Sequence, residues 1–389
     1  MTSCQPFELT ADQRDIRQLV REFAEREIAP HAAEWDRTHT FPTDVIRKLG
    51  ELGAMGVGFP EEYGGLGMGA VAQAIVVEEL ARIDSSVAVT VGANVSIAGD
   101  PVLLFGTDEQ KRRWLVPLAE GRHLGAFAST EPSGGSDVQA ARTTARRDGD
   151  DWVINGTKAF TTNAGNDLSA FTIVTAQTEL DDGTCKLSAF VVPSGTPGFE
   201  PQPPYHKLGW HASDTRELVF VDCRVPHDAL LGELGKGARV FLQPLDGGRV
   251  GVAAMSVGLA QGALEQATAY AKQRVAFGAP IARQQAIAFK LADMKTHVEA
   301  ARLMTYRAAA FKECGQRFTA EAAMAKLFAS EVAVRVAEEN LQIHGGYGYI
   351  EESAVPRFYR DAKILTIGEG TSEILKLVIA RQMGLEDEQ

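Results

Sequence analysis

Apolar residues recur in two rhythms along this 389-residue chain. Near the N-terminus Ile16, Leu19, Val20 and Phe23 fall at i, i+3, i+4 and i+7, one face of a helix. Thr10 followed by Gln13 has the spacing of a capping box, and Pro30 sits near the expected end. Residues 41–52 predict a second helix, opened by Pro42 and closed near Gly53, and residues 71–83 and 109–119 resume helical character. Pro60-Glu61-Glu62-Tyr63-Gly64-Gly65-Leu66-Gly67 is too glycine-rich for an element interior and reads as a loop. Residues 85–99 form an uncharged run of 15 between Asp84 and Asp100. A membrane span needs roughly 20 residues, so a buried helix is expected there.

The rhythm shortens near Gly121. Residues 171–176, 187–193 and 218–221 are β-branched and aromatic runs of strand length, and Trp152-Val153-Ile154 precedes Asn155-Gly156, a pair that predicts a hairpin turn. After Gly237 long helical stretches return at 249–274, 285–311 and 319–343, rich in alanine as close helix packing requires, with a further helix at 371–383. Residues 386–389 read as a frayed tail. The order is helices, then strands, then a helical bundle.

Hydrophobic residues make up 45% and charged residues 23%, enough apolar material for two or three packed domains. A net charge of -12 argues against nonspecific nucleic-acid binding and against a polybasic membrane patch. Cys4, Cys185, Cys223 and Cys314 are scattered, with no Cys-x-x-Cys pair, so neither a zinc site nor a disulfide scaffold is suggested and a cytoplasmic setting fits. Glu8, Asp12 and Asp15 without an apolar run do not read as a secretory signal.

Four segments could carry chemistry. Thr130-Glu131-Pro132-Ser133-Gly134-Gly135-Ser136-Asp137 is either a surface turn or a loop that approaches a planar ring or an anion; it is neither a P-loop nor a Rossmann fingerprint. Phe160-Thr161-Thr162-Asn163 is either a strand end with a packed phenylalanine or an aromatic platform beside hydroxyls. His344-Gly345-Gly346-Tyr347-Gly348-Tyr349 ends a long helix, and its glycines either cap that helix or admit a cofactor; no partner at metal spacing accompanies His344. In Ile367-Gly368-Glu369-Gly370-Thr371-Ser372-Glu373 an acid stands between two glycines ahead of a helix. Glu369 either favours the positive helix end or meets a substrate that the glycines let pass.

Taken in order, these segments resemble the acyl-CoA dehydrogenase family over essentially the whole chain. Further matching segments are Lys207-Leu208-Gly209-Trp210, Leu245-Asp246-Gly247-Gly248-Arg249, residues 270–278, Phe289-Lys290-Leu291-Ala292-Asp293-Met294 and Arg360-Asp361-Ala362-Lys363. The resemblance implies an α+β fold: an N-terminal α-helical domain (1–120), a central β-barrel-like domain (121–233) and a C-terminal four-helix bundle (234–389). It also implies FAD, an acyl-CoA substrate, electron-transferring flavoprotein as partner, and a homotetramer. Matched by motif, Phe127, Ser129, Thr130 and Ser136 would cradle the flavin, Ser136 also facing the CoA. Phe160, where many relatives have tryptophan, would pack on the ring, and Thr162 would bond near N5. Arg274, Phe277, Gln285, Gln342, Gly345 and Gly346 would contact the FAD of a neighbouring subunit. Thr371 and Glu373 would hold the cofactor near its phosphate and adenosine part. Asp246, Arg249 and Gly370 would line the thioester end.

In that setting Glu369 would take the α-proton while the β-hydrogen leaves as hydride, giving a trans-2-enoyl thioester. A carboxylate of ordinary pKa, about 4.3, is a weak base for such a carbon acid, so desolvation on acyl binding must raise it. In relatives the enolate is stabilised by the backbone N–H of the catalytic glutamate and a ribityl hydroxyl. Relatives that carry the base on the Leu-Asp-x-x-Arg helix have it where this chain has Gly248, which favours Glu369, and the Leu-Asp-Gly-Gly-Arg form with Ala279-Pro280 resembles the short-chain branch. Many relatives have a tyrosine where this chain has Gly368, which implies a roomier pocket beside the reacting carbons. An acyl-CoA oxidase is a rival on the same fold, though two-domain oxidases are much longer. Nitroalkane oxidase-like enzymes lack or replace the Glu-Gly-Thr base, and a flavin-free scaffold would not need these motifs.

Overall fold

A computed structural model describes residues 8–385. Helix α1 (Ala11–Phe23) starts from a reciprocal cap: Gln13 N–H donates to Thr10 Oγ1 at 3.2 Å, and Thr10 N–H donates to Gln13 Oε1 at 3.0 Å. Ile16, Val20 and Phe23 are buried, but Leu19 stays 43% exposed, so the buried stripe is narrower than expected. A π-helical turn (Ala24–Ile28) extends this helix. Then come α2 (Ala32–Thr38), which no apolar period announced, α3 (Thr43–Glu51), α4 (Gly69–Ile83), α5 (Ser85–Gly92), α6 (Asp100–Phe105) and α7 (Asp108–Ala119). A π-helical stretch (Ala93–Gly99) joins α5 to α6 in one apolar rod, Ser85–Phe105, whose most apolar window is 83% buried. Asp84 fixes the start of the rod by accepting the Ser86 and Val87 amides at 2.8 and 3.1 Å.

The middle of the chain is a mixed sheet of β1 (Leu124–Ala128), β2 (Thr144–Asp148), β3 (Asp151–Thr162), β4 (Ser169–Glu179), β5 (Cys185–Pro193), β6 (Phe199–Pro204) and β7 (Thr215–Pro226). The strands run in the order β1-β4-β2-β3-β7-β6, with β5 paired to β4. The expected turn at Asn155-Gly156 is corrected here: both residues lie within β3, and the hairpin before it turns at Gly149-Asp150. Asn155 Oδ1 accepts the Asp222 amide at 2.8 Å where the β3–β7 register shifts. A Cβ on Gly156, at φ +149°, would stand 2.5 Å from Thr143 Oγ1, so a bulge and a close crossing call for this glycine.

The C-terminal third holds α8 (Gly237–Gln273), a small hairpin of β8 (Val275–Ala276) and β9 (Ala279–Pro280), α9 (Gln285–Glu313), α10 (Thr319–His344), α11 (Val355–Ala362) and α12 (Ser372–Gln382). Ala253, Ala260, Ala263 and Ala267 on α8 and Ala322, Ala329, Ala333 and Ala337 on α10 are wholly buried, the close packing that the alanine content implied. Gly258 and Gly262 let α8 touch α4: Cβ atoms there would lie 2.1 Å from the Glu78 and Arg82 carbonyl oxygens. Three regions meet at Asp361, whose carboxylate accepts the Trp210 amide at 2.7 Å and Ser85 Oγ–H at 2.8 Å.

Candidate active site

Glu369 occupies the link between α11 and α12 in a left-handed conformation, φ +53°, followed by Gly370 at φ +102°. A non-glycine residue held there needs support from its surroundings. Lys326 Nζ on α10 donates to the Gly370 carbonyl at 2.6 Å, and Thr371 Oγ1 accepts the Ile374 amide at 3.3 Å, starting α12 immediately after the link. The side chain aims at α8. A Cβ built on Gly248 would stand 2.3 Å from Glu369 Oε2 and 3.4 Å from Ile97 Cγ2, so the glycine makes room for the carboxyl and the π-helical stretch borders it. Glu369 Oε2 is out of solvent and has no hydrogen-bond partner. Burial pushes its pKa up, against the opposing pull of Lys326 and Arg249, to about 7.

The same corner is framed by charge. Arg249 Nη1 pairs with Asp246 at 2.9 Å, Thr319 Oγ1 donates to Asp246 at 2.6 Å, and Arg249 Nε is buried without a partner. Asp246 and Arg249 line a cleft of about 710 Å³ with Arg239, Arg317, Phe318 and Arg381. Gly370 lies beside them, its notional Cβ 3.9 Å from Arg249 Nη2. Glu369, Gly370, Asp246 and Arg249, distant in sequence, are therefore brought together.

The loop after β1 forms a second group. Phe127, Ser129 and Thr130 are half-buried and Ser136 is exposed. The Thr130 carbonyl accepts the Ala159 amide at 2.8 Å. Below it lies an ion pair that sequence reasoning did not single out: Lys158 Nζ donates to Glu131 Oε1 at 2.8 Å, and Glu131 also accepts the Arg142 and Thr143 amides. Burial pushes Glu131 up, but these donors overcome it and set its pKa at about 2. Phe160 is not a packed strand end: it is 67% exposed at φ +56°, its ring 5.2 Å from Tyr205, with Thr162 half-buried two residues on. Thr161 Oγ1 and Asn163 Oδ1 nearby are buried without partners. The exposed Phe160 face, with the half-buried Thr162 hydroxyl two residues on, fits a planar ring with a hydrogen-bonding edge, as a flavin has. The apolar rod fastens this group to the acid. Asn94 accepts the Gly125 amide at 2.9 Å, Asn163 Nδ2 donates to the Thr90 carbonyl at 3.0 Å, and Ile97 one turn along reaches Gly248.

A third group stands apart. Arg274 lies over the Tyr347 ring at 5.8 Å and lines a cleft of about 520 Å³ with Tyr270, Ile281, His344, Gly345 and Gly346. Phe277, at φ +52° on the tip of the β8–β9 hairpin, is 97% exposed, and Gln285 and Gln342 are exposed. Helix α10 carries Lys326 near one end and His344 at the other, about 27 Å apart at 1.5 Å per residue, so these residues do not join the Glu369 corner within one chain. Thr371 caps α12, and Glu373 is exposed in its first turn. No cluster of metal-ligating side chains occurs among the described residues. Besides Glu131, the residues missed from sequence are Lys158 and Lys326. Their signal is a charge on an otherwise apolar face, Lys326 sharing its stripe with Ala322, Ala329 and Ala333.

Comparison with known proteins covers nearly all of the chain. Residues 10–122, 126–223 and 235–384 match the family models described as the acyl-CoA dehydrogenase N-terminal, middle and C-terminal domains. A probable acyl-CoA dehydrogenase of Bacillus subtilis, YngJ, is 49% identical over 97% of this chain and 99% of its own. The butyryl-CoA dehydrogenase structure from Megasphaera elsdenii is similar at TM-score 0.94 and 45% identity, covering 97% of this chain and 100% of that one. A chain from structural work on the electron transferring flavoprotein of Acidaminococcus fermentans and flavin-based electron bifurcation is similar at TM-score 0.95 and 44% identity, covering 98% and 100%.

Proposed function

The chain belongs to the acyl-CoA dehydrogenase family, a family of flavoprotein oxidoreductases, and on that premise we propose that it desaturates short- to medium-chain acyl-CoA thioesters between the α and β carbons, with Glu369 as the base. The observation that carries this reading is the bare carboxylate oxygen of Glu369: dry, unpartnered and raised to about pKa 7 between the glycines at 248 and 370. Such a group is costly to a fold and useful to a reaction. Its pKa lies near neutral pH, where a base combines ionisation with strength. Glu369 takes the α-proton, and its own amide, presented by the left-handed turn, donates to the thioester carbonyl as negative charge builds on that oxygen. Asp246 and Arg249 orient the thioester end in the adjoining cleft.

FAD, when bound, supplies the acceptor for the β-hydride. Phe127, Ser129, Thr130, Ser136, Phe160 and Thr162 would hold its ring, supported by the exposed Phe160 face. Thr371 and Glu373 would hold its outer part. Arg274, Phe277, Gln285, Gln342, Gly345 and Gly346 would grip the cofactor of a neighbouring subunit, a reading favoured by the about 27 Å that separates their end of α10 from Lys326. That arrangement is a cytoplasmic homotetramer with domain boundaries near 120 and 233. Electron-transferring flavoprotein as acceptor is supported by the similarity to the Acidaminococcus-derived chain.

The deciding experiment is anaerobic bleaching of the bound flavin by butyryl-, isobutyryl-, hexanoyl- and adipyl-CoA. Wild-type enzyme is expected to bleach with at least one of them, and Glu369→Gln to stay yellow and folded with the rate reduced about a thousandfold or more. Bleaching at the wild-type rate by the variant would remove Glu369 from the mechanism, and a colourless protein would remove the flavin.

A further inference from the structure

Lys326 is wholly buried on an alanine face of α10, where an ammonium group is expensive to hold. Its Nζ donates to the Gly370 carbonyl at 2.6 Å, and among the described residues it forms no direct ion pair. It reaches the Glu369 corner through backbone, leaving Glu369 Oε2 bare. A direct pair would lower the carboxylate pKa and weaken it as a base, by about one to three units. The charged neighbours are few. Arg249 faces the pair from α8 with Asp246 bonded to it, while Lys363 before the link and Glu373 and Lys376 on α12 are exposed.

We propose that Lys326 is a positioning residue for proton abstraction: it pins the left-handed Glu369–Gly370 turn through the Gly370 carbonyl and keeps the carboxylate ionised from one peptide away. Burial, against the upward pull of Glu369 and with a further push from Arg249, lowers Lys326 from the ordinary lysine range to about 8, so its ammonium is mostly charged at neutral pH. Burial alone drives Glu369 toward its acid form, and the cation on α10 opposes that drive without capping the oxygen that must receive the proton.

This inference rests on Glu369 being the base, and its test separates the two. The pH dependence of anaerobic flavin bleaching by butyryl-CoA is measured for FAD-loaded wild type, Lys326→Met, Lys326→Gln and Lys326→Arg, with flavin content and melting as fold controls. Loss of the cation raises the pKa of Glu369, so the neutral variants are expected to move the acid limb upward by about one pH unit or more, whereas Lys326→Arg leaves it in place. A folded, FAD-loaded neutral variant whose limb coincides with wild type overturns the proposal while leaving the base intact. Full bleaching by Glu369→Gln overturns both. If neither neutral variant folds, the reciprocal measurement decides: in enzyme labelled with ¹³C at lysine Cε, removing the Glu369 charge in Glu369→Gln must lower the Lys326 titration midpoint. An unchanged midpoint sinks the idea.

Discussion

Glu369 is an acid with a buried carboxylate oxygen that no hydrogen bond satisfies, and its chemistry follows from that. Because its folded pKa is raised to about 7, it is mostly protonated at pH 5.5 and mostly ionised at pH 8.5. Bleaching of the free enzyme by limiting acyl-CoA is therefore expected to rise with pH through about 7, and a flat profile from pH 5.5 to 8.5 would contradict the assignment. Next to the base, a Cβ on Gly368 would meet only the Ile364 carbonyl oxygen, at 3.7 Å. Gly368→Tyr is expected to cut turnover of branched and hexanoyl thioesters at least about tenfold more than that of butyryl-CoA, the size a steric change in an apolar pocket reaches. An unchanged chain-length profile would show that this position does not face the acyl group. Glu369 and its flanking glycines were legible in the sequence because glycines around an acid leave a visible mark. Lys326 was not, because only the fold shows that its carbonyl partner belongs to the neighbour of that acid.

At the scale of elements, the Glu131–Lys158 pair ties the loop after β1 to β3 beneath the proposed flavin site. Glu131→Gln leaves a buried ammonium without its counter-charge, which costs about 3–5 kcal/mol. The variant is expected to melt earlier and to lose flavin on gel filtration. The sign of the acid dependence follows from the depressed pKa: the Glu131 contribution is present above the ordinary carboxylate range, near 4.5, and disappears as pH falls toward about 2. Melting curves between pH 6 and pH 3 should therefore fall more steeply for wild type than for Glu131→Gln. The long helices, the strand runs and the Thr10 cap could be read from periodicity and capping chemistry alone. Asn155-Gly156 was misread because the same pair serves a hairpin turn and a bulge, and only the approach of Thr143 to Gly156 decides between them. Helix α2 left no apolar stripe to read, having only Ala32 buried.

At the scale of the whole molecule, one group of exposed apolar side chains lies near one end of the bundle. Val275, Phe277, Phe289, Tyr347 and Tyr349 are all more than half exposed, and they surround the residues proposed to reach a neighbour's cofactor. Exposure of this kind marks a surface meant for a partner. Phe277→Asp places a charge there and is expected to shift the mass measured by light scattering below that of a tetramer and to weaken flavin retention together. An intact, fully yellow tetramer would dissociate that face from assembly. The three-part order of the chain was visible in its changes of rhythm. How the parts touch was not, because contacts such as Gly258 against the Glu78 carbonyl depend on the absence of a side chain rather than on its character.

The 2.3 Å gap between a notional Cβ on Gly248 and Glu369 Oε2 means that two stretches of chain, one mid-helix and one in a link, converge on a single point. A side chain at 248 and the acid at 369 compete for the same space, so either stretch can supply the group that fills it. Moving the acid from 369 to 248, as Gly248→Glu with Glu369→Gly, should recover part of the bleaching that Glu369→Gly alone abolishes. Descendants of such a scaffold are free to relocate their proton acceptor without rebuilding the room it serves.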